Sequence, residues 1–356
     1  MTVYFALYGL CAVFTLAMYL RCKDEKKRNR ILCWAFFAVI FLLLALRHES
    51  MGVDLGNGRD NGYLRSFEKL SKLPWRSVLN NSFLNYEVGF RIYCKLIGVL
   101  SGADHQVFLA VTALVSLLPI AVVYHKLSRS PAFSYVIYLG LPVFLLQFSG
   151  LRQDIAIGLC ALSLLCVEEK KPVRFLLLVA VATLFHKSAF VFLIAYPLYH
   201  IRLNHKLKIV SLLLLPLIFV LRTPLFLFFS VLFKPNAVPD DNGALTLFLV
   251  LCAVYFFCFV FSDESEEQSG LLNIFFVACA CQAFGGVYTG ALRVGYYFML
   301  VLPLLLPKVI AGMSAPQDRK VCTYLISLAF VAFSLYSIAN STWAEANPYY
   351  WFWEQI

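Results

Sequence analysis

The sequence predicts an all-α, polytopic membrane protein, a bundle of about twelve transmembrane helices. Three observations carry that prediction. Hydrophobic residues make up 61% of the 356 and charged residues only 14%, far from the balance of a soluble domain. Apolar runs of about 17 to 25 residues recur along the chain, and a segment of that length inside hydrocarbon must be helical to satisfy its own backbone. The Lys and Arg residues behind the net charge of +10 gather in short loops between those runs. This positive-inside pattern orients a membrane chain and argues against nucleic acid as a partner. No interval between the runs fits a soluble domain, so residues 1–356 read as one integral membrane domain.

In chain order, the spans fall at 2–20, 31–46, 105–124, 131–147, 151–167, 173–186, 188–201, 209–232, 244–261, 270–288, 294–312 and 321–340. The first lacks a basic leader and a small-residue cleavage site and ends in the basic stretch Arg21 to Arg30, so it reads as a retained span. With that stretch cytoplasmic, the loops 125–130, 168–172, 202–208, 262–269 and 313–320 are cytoplasmic too, and both termini lie outside.

The interval 47–104 is the long extracytoplasmic segment. It begins with a glycine-rich turn region (Gly52, Gly56, Gly58, Gly62). Tyr63 to Leu73 follows, with Leu64, Phe67 and Leu70 at helical spacing, a lid or platform on the outer surface. Glu87 to Ser101 is apolar but carries Glu87, Arg91 and Lys95, and reads as a helix lying at the interface. Were it to cross, every later loop would invert and the basic loops would fall outside. The short spans 173–186 and 188–201 read as a broken or re-entrant hairpin. The tail Trp343 to Trp353, rich in Trp and Tyr, suits the headgroup belt. The eleven cysteines lie scattered in apolar segments without paired spacing, as small core hydrophobes do.

Arg47, Arg152, His186 and Arg293 each stand at or near the end of an apolar run, and the span count places all four on one face. Cations gathered at one side of a bundle point to an anion-binding site. Arg152 offers a fork of donors matched to phosphate or carboxylate; its alternatives are an ion pair with Asp154 or snorkelling to headgroups. Arg293 stands among glycines and aromatics, where backbone can approach a ligand, or is an ordinary loop cation. His186 could act as general base on a sugar hydroxyl or serve as a structural hydrogen-bonding residue, with Lys187 adding a positive charge beside it. Asp54, Asp60 and Glu87 are the carboxylates on the same face, any of them catalytic or structural. No DxD, HExxH or phosphate-loop motif is present, and Asp240-Asp241 between Pro and Gly reads as a turn. The sequence therefore predicts no metal and no cofactor, with arginines supplying charge stabilisation.

Several short motifs occur in a set order: Leu46-Arg47 leading to Gly52-Val53-Asp54 and Tyr63, Glu87-Val88-Gly89-Phe90, Leu151-Arg152-Gln153-Asp154-Ile155-Ala156, Phe185-His186-Lys187-Ser188-Ala189, and Arg293 to Tyr297. This ordered set resembles the EpsG family of bacterial membrane proteins, related in role to the Wzy-type polysaccharide polymerases. Gly56 to Asp60 lengthens the interval between acid and tyrosine relative to the family pattern, so Asp54 and Asp60 both remain candidates for its acidic position.

The resemblance implies a GT-C-like bundle that polymerises repeat units of a capsule, exopolysaccharide or O-antigen at the outer face of the bacterial cytoplasmic membrane. Donor and acceptor would be glycans on undecaprenyl diphosphate, with membrane lipid around them and a chain-length regulator protein as a further partner. The reading that follows is a metal-independent glycosyltransferase with His186, Arg152, Arg293 and Asp54 catalytic, and Arg47, Lys187, Glu87, Tyr297 and Tyr63 binding substrate. The alternatives are a transporter or flippase for lipid-linked glycans, for which no repeated halves are visible, and a membrane acyltransferase using His186 as base.

Overall fold

The computed structural model describes residues 1–56, 62–80, 86–202, 204–233 and 245–355. Gly58 and Asp60 of the turn region, and the Asp240-Asp241 turn, lie outside the described residues. The chain divides into two compact units, one of Met1–Phe190 with Tyr324–Ile356 and one of Val191–Thr323.

The first unit is built from α1 (Thr2–Arg21), α2 (Glu25–Ala45), α3 (Tyr63–Lys72), α4 (Trp75–Asn80), α5 (Val88–Ser101), α6 (His105–Leu127), α7 (Pro131–Leu139), α8 (Pro142–Ser149), α9 (Leu151–Glu168) and α10 (Pro172–Thr183). Local chemistry sets the helix starts. Asp24 and Asp104 accept from the amides of Lys27 and Val107, which caps α2 and α6. Pro131, Pro142 and Pro172 occupy the first turns of α7, α8 and α10, where a missing N–H costs nothing. α6 packs against α2 and α9, and α9 against α10.

In the second unit a 3-10 helix (Lys187–Ile194, begun in the first unit) leads to α11 (Ala195–Tyr199), α12 (His205–Val220), α13 (Arg222–Phe233), α14 (Leu245–Phe261), α15 (Glu266–Gln282), α16 (Thr289–Met299) and α17 (Leu302–Gly312). The last helix, α18 (Pro316–Asn340), starts there and continues into the first unit from Tyr324. α15 is the hub, packed by α11, α14, α16 and α17. Its Asn273 donates to the carbonyls of Leu198 and Ile201 at 2.8 and 2.7 Å, and Glu267 pairs with the buried Lys308.

Every apolar segment expected from the sequence falls on helix, and among the described residues no strand forms. Among the described residues four helices are long and apolar enough to cross a membrane alone: α1, α2, α6 and α18. Three more spans arise if α7 with α8, α12 with α13, and α16 with α17 each cross as one bent unit, at angles of 65°, 74° and 48°. The pair 173–186 and 188–201 is α10, then a 3-10 turn and α11, a broken segment as its length suggested. α1 and α18 leave Leu10, Leu16, Leu325 and Leu328 more than half exposed, an unfavourable surface in water but a matched one in lipid. The protein is an all-helical membrane protein.

α5 is helical as expected, and its cations are buried against protein. Lys95 Nζ donates to the Ser71 carbonyl at 2.6 Å and Arg91 to the Leu79 carbonyl at 3.2 Å. They satisfy the ends of α3 and α4, a common use of basic side chains at helix C-termini. α3 and α5 enclose a core of Tyr63, Phe67, Phe90 and Cys94 packed on Phe108 of α6 and on Leu151 and Ile155 of α9. Phe67 stacks on Phe108 with centroids 4.3 Å apart. At about 1.5–3 kcal/mol for each large apolar side chain buried, this cluster is what holds the platform on the bundle.

Candidate functional site

The site is assembled by the loop that leaves α2. Arg47 is buried at the start of that loop and donates from Nη1 to the carbonyl of Gln147 at 2.6 Å, near the C-terminal end of α8. Five residues on, Gly52 adopts φ +121°, and a Cβ there would collide with the carbonyl of Phe148. Only glycine lets the loop lie this close to the α8–α9 junction. The chain then turns so that the carbonyl of Asp54 accepts from the amide of Tyr63 at 2.9 Å, which starts α3. Asp54, half-buried, and Tyr63 are thus delivered together to the N-terminal end of α9.

Arg152 stands in the first turn of α9. Its Nη1 donates to Glu87 Oε2 at 2.5 Å and its Nε to the Tyr63 hydroxyl at 3.2 Å. The guanidinium also lies over the ring of Tyr86, 4.5 Å from the centroid. Tyr63 and Tyr86 stack with each other, and Phe90 meets both edge-on. An arginine bound by a carboxylate, a phenol and an aromatic face keeps its fork in one plane, the arrangement suited to a phosphate or carboxylate ligand. The sequence left open a pairing of Arg152 with Asp154; the partner is Glu87.

Glu87 ties this arginine to the fourth motif. Its second oxygen accepts from the backbone N–H of Lys187 at 3.1 Å. The next turn reinforces the join, because the amides of Gly89 and Phe90 donate to the Leu184 carbonyl at 2.9 and 3.3 Å. A Cβ on Gly89 would lie 2.7 Å from that carbonyl, so glycine is required here as well. His186 Nδ1 bonds the Ser188 hydroxyl at 2.7 Å, which fixes the ring plane within this turn. Burial would raise the Glu87 carboxyl, but the Arg152 guanidinium and the Lys187 amide outweigh it and hold the group below its ordinary range. Burial pushes the Tyr63 and Tyr86 phenols up, so both stay protonated donors.

The structure therefore brings Asp54, Tyr63, Glu87, Arg152, His186 and Lys187 to one end of the first unit. The N-terminal amine, bonded to Asn347 at 2.9 Å, and the tail, which pairs with residues 46–48 through His48 and Phe352, cover the same end at Arg47. Arg47 itself does not join the cluster, since its guanidinium points at Gln147 and over the Phe148 ring. Arg293 and Tyr297 belong to α16 in the second unit, where Arg293 is exposed and Tyr297 fully buried. Tyr86 was missed by the sequence reading, although its position immediately before the Glu87 motif is the signal that marks it.

On the far side of α3 a cavity of about 440 Å³ is lined by His48, Glu49, Glu68, His105 and Phe352 among others. His105 bonds Glu49 at 2.5 Å and Glu68 at 2.8 Å, so α3, α6 and the α2 loop meet at one imidazole.

No curated protein and no solved structure matches this chain. The sequence model of the EpsG family matches residues 30–351, an interval that holds every motif described above. The chain belongs to the EpsG family, membrane proteins of the Wzy-like polysaccharide polymerase type.

Proposed function

We propose that the protein is a glycosyltransferase that joins oligosaccharide repeat units carried on undecaprenyl diphosphate, at the outer face of the bacterial cytoplasmic membrane. The observation that carries this reading is the Arg152 constellation: a guanidinium shared by Glu87, Tyr63 and Tyr86, one hydrogen bond away from the His186–Lys187 turn. The donor diphosphate takes the place of Glu87 on Arg152 and is reached by Lys187, which is exposed.

The reaction balances as follows. The acceptor hydroxyl oxygen attacks the anomeric carbon of the donor sugar while the bond from that carbon to the diphosphate oxygen breaks. Undecaprenyl diphosphate leaves with the bonding pair, and His186 takes the hydroxyl proton. Charge grows on the leaving oxygen, and preorganised cations stabilise it more in the transition state than in the ground state. Arg293 keeps the catalytic role and Tyr297 the substrate-binding role expected from the sequence, while Asp54 orients the acceptor or the Tyr63 end of the site. A chain-length regulator protein is the further partner expected of a polymerase.

The test is incubation of the purified protein with a lipid-linked repeat unit, with chain length read on a gel. Ladders from wild type, and none from folded Arg152→Ala and His186→Ala variants, are expected. Full-length polymer from both variants would sink the proposal.

A further inference from the structure

The cavity on the far side of α3 takes no part in the reaction proposed above, yet its walls are those of a binding site. Its volume of about 440 Å³ is within the range of small-ligand sites, and it draws residues from the α2 loop, α3, the start of α6 and the tail. The polar groups in the wall are already fixed. His105 bonds one oxygen of Glu49 at 2.5 Å and one of Glu68 at 2.8 Å, and among the described residues the second oxygen of each has no other partner. Asp104 uses Oδ1 to cap α6 and keeps Oδ2. The amide nitrogen of Gln106 donates to the carbonyls of Ala45 and Arg47, so its oxygen remains an acceptor. His48 supplies a donor: its Nδ1 accepts from the Ser50 amide at 3.1 Å, which leaves the ring proton on Nε2.

An aromatic ring completes the wall. Phe352 is 44% exposed, and its amide donates to the Leu46 carbonyl at 2.9 Å, which keeps the ring at the cavity. A second cavity along the same tail, of about 450 Å³, repeats the combination with Tyr349, Tyr350, Glu354 and Gln355.

Fixed acceptors, a donor and an aromatic face match the two sides of a pyranose ring. Its hydroxyls donate to carboxylate and amide oxygens, and its apolar C–H face covers an aromatic ring, which removes both from water. The charge narrows the class. Three carboxylates against one imidazole leave an excess of negative charge even with His105 protonated, which repels uronic acids and lipid phosphates. A metal ion does not fit either, since among the described residues no three His, Cys, Asp or Glu side chains converge as one requires. Glu68 lies five residues after Tyr63 on α3, about 7.5 Å along the axis. That offset is too great for the sugar whose bond breaks and suits one further along the same glycan.

We propose that this cavity is a glycan subsite that holds a neutral sugar remote from the reacting bond. The inference rests on the polymerase reading for the source of the glycan, but binding there needs no catalysis.

The probe is the lipid-free oligosaccharide obtained by cleaving the polysaccharide of the producing bacterium to single repeat units. It is titrated into the purified protein in a detergent without sugar headgroups. Wild type is expected to bind it with a Kd on the order of a millimolar or tighter, and to bind trigalacturonate at least about tenfold more weakly. Glu49→Ala and Phe352→Ala change side chains that are about half exposed, so both variants should fold. Each is expected to weaken oligosaccharide binding at least about fivefold and to leave binding of undecaprenyl diphosphate within about twofold of wild type. Unchanged oligosaccharide affinity in either variant, or an equal loss of both ligands, overturns the subsite. So does a wild type that binds no oligosaccharide, or that binds trigalacturonate as tightly. The polymerase reading fails separately. A wild type that makes no polymer but binds the oligosaccharide through Glu49 and Phe352 keeps the subsite, whereas ladders without oligosaccharide binding overturn the subsite alone.

Discussion

Glu87→Gln separates stability from ligand affinity. Glu87 holds Arg152 at 2.5 Å, with the two side chains 10% and 20% exposed. Glutamine keeps the shape and an oxygen for the Lys187 amide but removes the charge. A charge-assisted hydrogen bond in such a setting contributes about 1.5–3 kcal/mol, out of a total stability of about 5–15 kcal/mol. Thermal unfolding of the variant in detergent should show a clear loss of that order. The diphosphate, in contrast, no longer has to displace a carboxylate from the arginine. Recovering half of the lost pair energy, about 0.75–1.5 kcal/mol, tightens binding of undecaprenyl diphosphate about three- to twelvefold. Stability falls while affinity rises. The assay is a melting curve with and without undecaprenyl diphosphate, plus a direct binding titration. A variant that is destabilised and also binds more weakly refutes the idea that Glu87 occupies the anion's place, because the carboxylate would then be supporting the ligand.

Other outcomes follow from the same geometry. The Glu87 carboxyl is depressed below its ordinary value of 4.5, so its stabilisation is complete above pH 4.5 and is lost as pH falls through the folded value. Acid unfolding of wild type should therefore steepen below pH 4.5 relative to Glu87→Gln, and parallel curves would contradict the assignment. Gly52→Ala places a Cβ against the Phe148 carbonyl at φ +121° and should cost about 1–3 kcal/mol, read as a lowered melting temperature. Gly89→Ala should part Glu87 from Lys187 and reduce polymer formation, with a smaller effect on melting than Gly52→Ala. If the cations alone stabilise the leaving group, polymerisation should persist in a chelator, and its loss would require a metal in the mechanism.

The helices were legible because apolar run length alone decides them in a membrane chain. Their bends were not. Nothing in 131–147 distinguishes a straight span from the 65° break at Gly140-Leu141, since a Pro such as Pro142 is compatible with both a kink and a fresh helix start. The members of the site were legible as charges in costly places, but their pairing was not. Nearness in sequence suggests Asp154 as the partner of Arg152, but residues two apart on a helix face opposite ways, and the contact made is with Glu87, 65 residues away and brought in by the docking of Gly89 on Leu184. Lys95 and Arg91 mislead for a related reason. A cation on an apolar helix suggests headgroups, and only the fold shows that the ends of α3 and α4 present carbonyls to them.

The backbone pairing of Leu46 and His48 with Phe352 and Tyr350 has a consequence for synthesis. The loop that carries Asp54 and Tyr63 to Arg152 emerges early from the ribosome, but the strand-like partner that braces its first residues is made some 300 residues later. At about 5–20 residues per second, the early helices wait at least about 15 seconds in the bilayer before that brace exists. The chain thus leaves this loop unbraced until residues 350–352 have been made, and a ribosome stalled in α18 leaves behind a membrane bundle whose Arg47 still lacks its cover.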